Sequence, residues 1–181
     1  AMLKIGPWIQ TFPPKRLLAD TGKVVTHDEL MGEYFASYFG HNMLPVSVWG
    51  KMYTKELFDK VDFPSPWPKV GADDLYMSML LHPHIQRLTI IPDVVYSYLI
   101  GLPGASPKYL NGWLDLAGTL FEQKWQMLEK YNFLRAYKYQ AIEMVNYIKT
   151  FVRNCTIFDA DNREKRLQQL VNALESPIWE R

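Results

Sequence analysis

Two adjacent carboxylates are the residues of this chain best suited by type and position to acid–base chemistry. Asp73 and Asp74 follow a loop rich in proline, tryptophan and glycine, and they open the apolar run Leu75–Leu81. One aspartate at a helix start accepts backbone N–H bonds and complements the helix dipole. A second aspartate is then available to face a cleft, where a carboxylate can take a proton from a hydroxyl nucleophile.

A second candidate group is Trp49-Gly50-Lys51, which lies in a short run typical of a strand. Gly50 allows another backbone or a ligand to approach closely. Trp49 offers an aromatic face for stacking, and Lys51 offers a cation. The same three residues also fit a buried tryptophan at a strand end followed by a solvated lysine. Taken alone, this group leaves ligand binding and simple packing open.

Metal ligation is the third chemistry considered, and the sequence does not predict it. In the segment His82–His84, Pro83 breaks the helix, and neither a cysteine nor a third ligand stands nearby. Asp159–Asp161 has D-x-D spacing, but it separates two predicted helices, where a helix cap explains it. The sequence also lacks a glycine-rich phosphate loop, a G-x-S-x-G motif and a Cys-x-x-Cys pair.

The elements that position the aspartates are predicted from caps, prolines and alternation. Thr26 and Glu29 form a capping box before a helix that buries Leu30, Tyr34 and Tyr38. The segment 62–71 holds three prolines and is predicted to be a stiff loop around Trp67, followed by a helix over 73–81. The predicted strands are Leu3–Ile9 at an edge, Pro45–Tyr53, Leu88–Pro92 and Val94–Ile100.

From Lys108 onward the apolar spacing becomes helical and predicts three amphipathic helices with short connections. We therefore expect two regions, 1–107 with a small mixed sheet and an N-terminal arm, and a helical region over 108–181. The fold class is α+β. A small sheet with an unpaired edge strand would leave that edge exposed. We expect the N-terminal arm or a second copy of the chain to cover it.

The composition limits the classes of partner. The 181 residues are 48% hydrophobic and 22% charged, with a net charge of +1, so we predict a folded chain that does not bind nucleic acid. No apolar run is long enough for a transmembrane segment. A single cysteine, Cys155, and the lack of a signal peptide favour a cytoplasmic location. Peripheral contact with the inner face of the membrane is an alternative.

Five short motifs in order give the chain a resemblance to a known family. They are Val48–Tyr53, Glu56–Phe58, Phe63-Pro64, Asp73–Leu75 and Tyr96–Tyr98. This order, over Pro45 to Ser106, resembles the acceptor-side half of bacterial family 2 glycosyltransferases with the GT-A (nucleotide-diphospho-sugar transferase) fold, enzymes of polysaccharide biosynthesis. The resemblance implies a partial, truncated GT-A-like fold in this chain.

The resemblance also implies roles for individual residues. Asp74 matches the family's catalytic base, which deprotonates the hydroxyl of a saccharide acceptor for attack on the anomeric carbon of a nucleotide-sugar. Asp73 stands where glutamate is commoner. The residues expected to bind substrate are Trp49, Gly50, Lys51, Trp67 and Asp73.

The resemblance does not extend to the nucleotide-binding half, which in the family precedes these motifs and ends in D-x-D. We therefore predict no cofactor in this chain, whereas a complete enzyme would use a nucleotide-sugar and Mn²⁺ or Mg²⁺. The expected partner is a missing N-terminal half or a second copy of the chain. The alternative function is a non-catalytic glycan-binding or oligomerisation module derived from such an enzyme.

Overall fold

The computed structural model describes residues 2–5, 8–11, 21–41, 43–93, 95–99, 112–153 and 163–177. These residues contain six α-helices and five short strands. The strands are β1 (Met2–Ile5), β2 (Trp8–Thr11), β3 (Val24–Thr26), β4 (Arg87–Thr89) and β5 (Ser97–Leu99). The helices are α1 (His27–Glu29), α2 (Lys55–Phe58), α3 (Asp73–Leu81), α4 (Trp113–Lys130), α5 (Tyr137–Arg153) and α6 (Arg163–Leu174). The predicted α+β class is confirmed, and the chain is mostly helical.

The chain divides into two compact units. The N-terminal unit comprises Ala1–Trp67 and Ala72–Ser106, and the C-terminal unit comprises Pro68–Gly71 and Pro107–Arg181. The short segment Pro68–Gly71 therefore belongs with the helices that follow it later in the sequence. Gly71 has φ +64°, and a Cβ placed on it would lie 3.2 Å from Leu116 Cβ, so this close approach requires glycine.

The first helical segment begins at the predicted capping box. The Thr26 hydroxyl accepts the Glu29 backbone N–H at 3.4 Å, and the Glu29 carboxylate accepts the Thr26 backbone N–H at 2.7 Å. After α1 the segment continues as a π-helical turn and then a 3₁₀ turn, and it ends at Gly40 with φ +96°. Its buried face includes Leu30, Tyr34 and Tyr38, as predicted.

The prediction of a strand over Pro45–Tyr53 is wrong. This segment consists of turns and irregular backbone. Gly50 adopts φ +70°, a left-handed conformation that turns the chain and interrupts strand pairing. Pro45 supplies no N–H for a sheet, so neither the start nor the centre of the segment favours a strand.

The strands near residues 88 and 97 are present but shorter than predicted, and they do not pair with each other. β4 pairs antiparallel with β3, which the sequence analysis did not identify, with Val25 opposite Leu88. β5 pairs parallel with β1, with Leu3 opposite Tyr98. Strand partners depend on contacts between distant segments, which local alternation cannot specify.

The N-terminal arm forms a hairpin in place of the single predicted edge strand. β1 and β2 pair antiparallel, with Met2 opposite Thr11 and Ile5 opposite Trp8. Because β1 also pairs parallel with β5, the three strands form a small mixed sheet in the order β2-β1-β5. The arm therefore covers one edge of β5, as expected for a strand that would otherwise be open.

The core of the N-terminal unit lies between the first helical segment and α3. The largest side chains buried there are aromatic, aliphatic and histidine side chains, namely Leu30, Tyr34, Phe35, Tyr38, Phe39, Met79, Leu81 and His82. Phe35 meets Phe39 edge-on with ring centres 5.2 Å apart, and it stacks on His82 at 5.5 Å. Ring contacts of this kind fix the orientation of the helical segment against α3.

The C-terminal unit contains the three predicted helices. One buried cluster joins α4 and α5 through Ala117, Phe121 and Met144, and a second joins Phe151 to Leu114 and Leu170. The ammonium of Lys124 is buried and pairs with the carboxylate of Glu143 across α4 and α5. The D-x-D turn at residues 159–161 lies outside the described residues. Among the described helices, none has the length and apolar character needed to cross a bilayer.

Candidate functional site

Helix α3 holds the two candidate carboxylates in its first turn. The prediction of a helix over 73–81 is confirmed, and its N-cap is Ala72 rather than either aspartate. The backbone N–H of Tyr76 donates to the Ala72 carbonyl at 3.0 Å. Successive helical residues point about 100° apart. Asp73 is accordingly exposed, whereas Asp74 is half-buried.

Asp73 is tied to the proline-rich loop. The indole Nε1–H of Trp67 donates to Asp73 Oδ1 at 2.8 Å, and the Trp67 ring meets Tyr76 edge-on with centres 5.1 Å apart. The two predicted substrate-binding residues therefore contact each other. Asp73 therefore anchors the loop to α3 through the indole N–H of Trp67, and Trp67 stays 38% exposed.

Asp74 shares its surroundings with Lys51 and Tyr53. Burial lowers the pKa of Lys51 to about 8, and the negative charge of Asp74 opposes that shift. Burial raises the pKa of Tyr53; the Ser78 hydroxyl opposes this shift, and the charge of Asp74 adds to it. The Lys51 ammonium donates a hydrogen bond to the Pro45 carbonyl. A carboxylate, an ammonium and a phenol thus form one electrostatically connected group at the start of α3.

A buried polar pair lies deeper in the core. Burial raises the pKa of Tyr38 well above its ordinary value, and the charge of Tyr53 adds to this shift. Tyr38 Oη lies 3.0 Å from His82 Nδ1, and His82 Nε2 lies 3.0 Å from the Leu30 carbonyl oxygen. Because a carbonyl only accepts, Nε2 carries the proton and Tyr38 donates to Nδ1.

His82 is neutral near pH 7 in this arrangement. Burial lowers its pKa to about 4; the bond to the Leu30 carbonyl opposes this shift, and the charges of Lys51 and His27 add to it. Both ring nitrogens are engaged, so His82 holds Tyr38 in place rather than binding a metal. Within the described residues, no group of three or more His, Cys, Asp or Glu could hold a metal ion.

Trp49 and Gly50 lie beside Tyr96. The rings of Trp49 and Tyr96 stack with centres 5.0 Å apart and planes 25° apart. A Cβ placed on Gly50 would lie 3.8 Å from Tyr96 Cβ, and the φ of +70° at Gly50 is itself unfavourable for other residues. Gly50 therefore allows the turn that places Trp49 against Tyr96 and directs Lys51 toward Asp74.

The structure thus places the predicted residues in the N-terminal unit. Asp73 contacts Trp67, Trp49 stacks on Tyr96, and the charge of Asp74 acts on Lys51. The roles of Tyr38 and His82 were missed, because no local pattern indicates that residues so far apart in the chain form one hydrogen-bonded pair. Tyr53 and Tyr96 belong to motifs that the sequence analysis quoted, so the motif pattern was the signal available for them.

Comparisons of the chain with protein-family models, with curated proteins and with solved structures find no match. The function is therefore argued from the geometry and chemistry of the site.

Proposed function

We propose that the N-terminal unit is the acceptor-side half of a glycosyltransferase related to family 2 enzymes with the GT-A fold. In this proposal the protein takes part in sugar transfer from a nucleotide-sugar to a saccharide acceptor, and Asp74 is the catalytic base. The observation that supports it best is the half-buried group in which the charge of Asp74 acts on both Lys51 and Tyr53.

The proposed reaction uses Asp74 to remove the proton of an acceptor hydroxyl. The oxygen then forms a bond to the anomeric carbon of the donor, while the bond from that carbon to the nucleotide phosphate breaks and its electron pair leaves with the nucleotide. A base must reach the hydroxyl that it deprotonates. A half-buried carboxylate in the first turn of α3 meets that need better than one covered by protein.

Lys51 is proposed to position the acceptor and balance charge. An ammonium has three donors, and the Pro45 carbonyl takes one of them. With a pKa of about 8, Lys51 is mostly protonated at neutral pH. The proposal assigns the nucleotide-sugar and its Mn²⁺ or Mg²⁺ to a separate nucleotide-binding half, and no step of the reaction is derived from them.

The aromatic residues are proposed to bind the sugar rings. Trp49, stacked on Tyr96, and the partly exposed Trp67 offer flat aromatic side chains. Such surfaces contact the C–H face of a sugar, while polar side chains nearby take its hydroxyls. The same surfaces would also serve a glycan-binding module without catalysis, which is the second candidate function.

The experiment that tests acceptor binding is an NMR titration of the full chain with a panel of mono- and oligosaccharides, followed through the tryptophan Nε1–H signals. We expect Trp49→Ala to weaken binding by about tenfold, or 1.4 kcal/mol. Met52→Ala is the matched control, because this neighbouring side chain is 97% exposed. If no saccharide shifts the tryptophan signals, the acceptor role is wrong.

A calorimetric titration with UDP and GDP, with and without Mn²⁺, tests for a donor site. Metal-dependent binding would mean that the chain completes such a site, and Asp74→Asn should then abolish transfer while nucleotide binding persists. Saccharide binding without nucleotide binding would leave this chain as the acceptor half. Asp73→Asn is the control for Asp74→Asn, since it removes an adjacent carboxylate that contacts Trp67 instead.

A further inference from the structure

Helix α5 carries a row of apolar side chains on its outer face. Ile142, Val145 and Val152 are 38–57% exposed, whereas Met144 and Phe151 on the opposite face are buried. Positions 138, 142, 145, 149 and 152 alternate spacings of four and three, so they lie within an arc of about 80°. This spacing is typical of a helix that packs along a second helix.

Helix α6 carries a similar row. Leu167, Val171 and Leu174 are 43–74% exposed and are spaced four and three residues apart. Leu170 lies beside this row and packs against Phe151, whereas the three side chains of the row stay exposed. Both rows belong to the C-terminal unit. Apolar rows of this kind on two helices of one unit indicate a protein contact.

The α5 row contains two bases, and two acids lie beside the α6 row, which also has Arg163 at its start. Lys138 and Lys149 lie within the α5 row and are exposed, while Glu164 and Glu175 border the α6 row and are exposed. The backbone N–H of Glu175 donates to the Val171 carbonyl at 3.0 Å, so helical bonding extends to it. Each pair is separated by eleven residues in the sequence, which corresponds to a rise of about 16 Å.

We propose that these rows form the interface of a symmetric homodimer, in which α5 of one copy packs against α6 of the other. Because both pairs are eleven residues apart, the two lysines of α5 in one copy can face the two glutamates of α6 in the other copy at the same time. A two-fold axis repeats this contact, so each copy contributes both rows. A membrane surface fits less well, because it favours a uniformly basic polar face, and the sequence of α6 mixes acids with bases. The inference does not depend on the proposed catalytic role.

Sedimentation equilibrium of the full chain tests the proposal. An interface built from two short helices of each copy is at the small end for specific association, so we expect dimers at about 10–100 µM. Lys138→Glu/Lys149→Glu should weaken dimerisation by about tenfold or more, since four acids would then face one another. Glu164→Lys/Glu175→Lys should do the same with bases. All four positions are exposed, and unchanged far-UV circular dichroism would verify that each variant folds.

The decisive experiment mixes the two double variants. One variant presents acids on both rows and the other presents bases, so the mixture should form heterodimers, detected by native mass spectrometry. The proposal is overturned if the natural chain stays monomeric at the highest concentration, or if both variants dimerise as well as it does. Binding of monomers to vesicles of phosphatidylglycerol and phosphatidylcholine would overturn it in favour of a membrane contact.

Discussion

At the scale of single residues, the two neighbouring aspartates have different surroundings despite being identical in type. Asp73 accepts a hydrogen bond from Trp67, whereas the charge of Asp74 acts on Lys51 and Tyr53. The difference arises because one helical step rotates the side chain by about 100°. Comparing the Asp73→Asn and Asp74→Asn variants therefore separates a loop anchor from a candidate base.

Lys51 is expected to titrate near pH 8, because burial lowers its pKa. Asp74→Asn removes a charge that favours the protonated form, so the titration midpoint of Lys51 should fall. NMR of ¹³C,¹⁵N-labelled lysine side chains measures the midpoint directly. Asp73→Asn should shift it much less. Equal shifts in the two variants would contradict the assignment of Asp74 as the neighbour of Lys51.

His82 should make the N-terminal unit sensitive to acid. Its folded pKa of about 4 lies below the ordinary value of 6.5, so only the unfolded state takes up this proton between those values. The contribution of His82 to the free energy of unfolding is fully present above pH 6.5, and it falls by roughly 3 kcal/mol as the pH drops to 4.

Urea unfolding measured from pH 7 to pH 4 checks this prediction. His82→Gln should be less stable at pH 7, because Tyr38 and the Leu30 carbonyl lose their partner. Its stability should also decline less steeply with acid than that of the natural chain. Parallel curves for the two proteins would show that His82 does not account for the loss.

At the scale of elements, two threonines occupy N-cap positions with different consequences. Thr26 precedes α1 and forms both bonds of a capping box with Glu29. Thr54 precedes α2, and its side chain makes no capping bond to the described residues. A threonine at the N-cap position therefore does not stabilise a helix by its position alone. The hydrogen bond from its side chain supplies the stabilisation.

Thr26→Ala should destabilise the N-terminal unit by about 1 kcal/mol, the usual cost of losing a capping side chain. Thr54→Ala should change stability by less than about 0.5 kcal/mol, and it serves as the matched control. Urea unfolding at pH 7 measures both values. A larger loss for Thr54→Ala than for Thr26→Ala would contradict the hydrogen bonds described here.

At the scale of the whole molecule, the division into two units shapes what unfolding experiments report. Trp49 and Trp67 belong to the N-terminal unit, and Trp125 belongs to the C-terminal unit, where it packs against Tyr137. Single-tryptophan variants can therefore follow one unit at a time. Two units need not unfold in one transition.

If the C-terminal unit dimerises, its unfolding midpoint should rise with protein concentration, because association stabilises only the folded form. Fluorescence of Trp125 in urea, recorded at about 5 µM and 200 µM protein, would show the rise, and Lys138→Glu/Lys149→Glu should remove it. A midpoint that does not change with concentration in the natural chain would contradict the dimer.

The sequence alone was sufficient for features that depend on neighbouring residues. The capping box, helix α3 over residues 73–81 and the three C-terminal helices were predicted, because helices form by bonds between residues four apart and show their buried face as a period. The α+β class followed from the same patterns. The group Trp49-Gly50-Lys51 also identified Lys51 as a candidate, although the sequence could not show that the charge of Asp74 acts on it.

The tertiary structure alone decided the pairing of distant segments. It joined β1 to β5 and β3 to β4, and it made a turn of the segment around Gly50. It also brought Tyr38 to His82, and it placed Lys51 where the charge of Asp74 acts on it. Strand partners and buried polar contacts depend on which remote groups meet when the core closes. That information is carried by the packing of the whole unit rather than by any short run of residues.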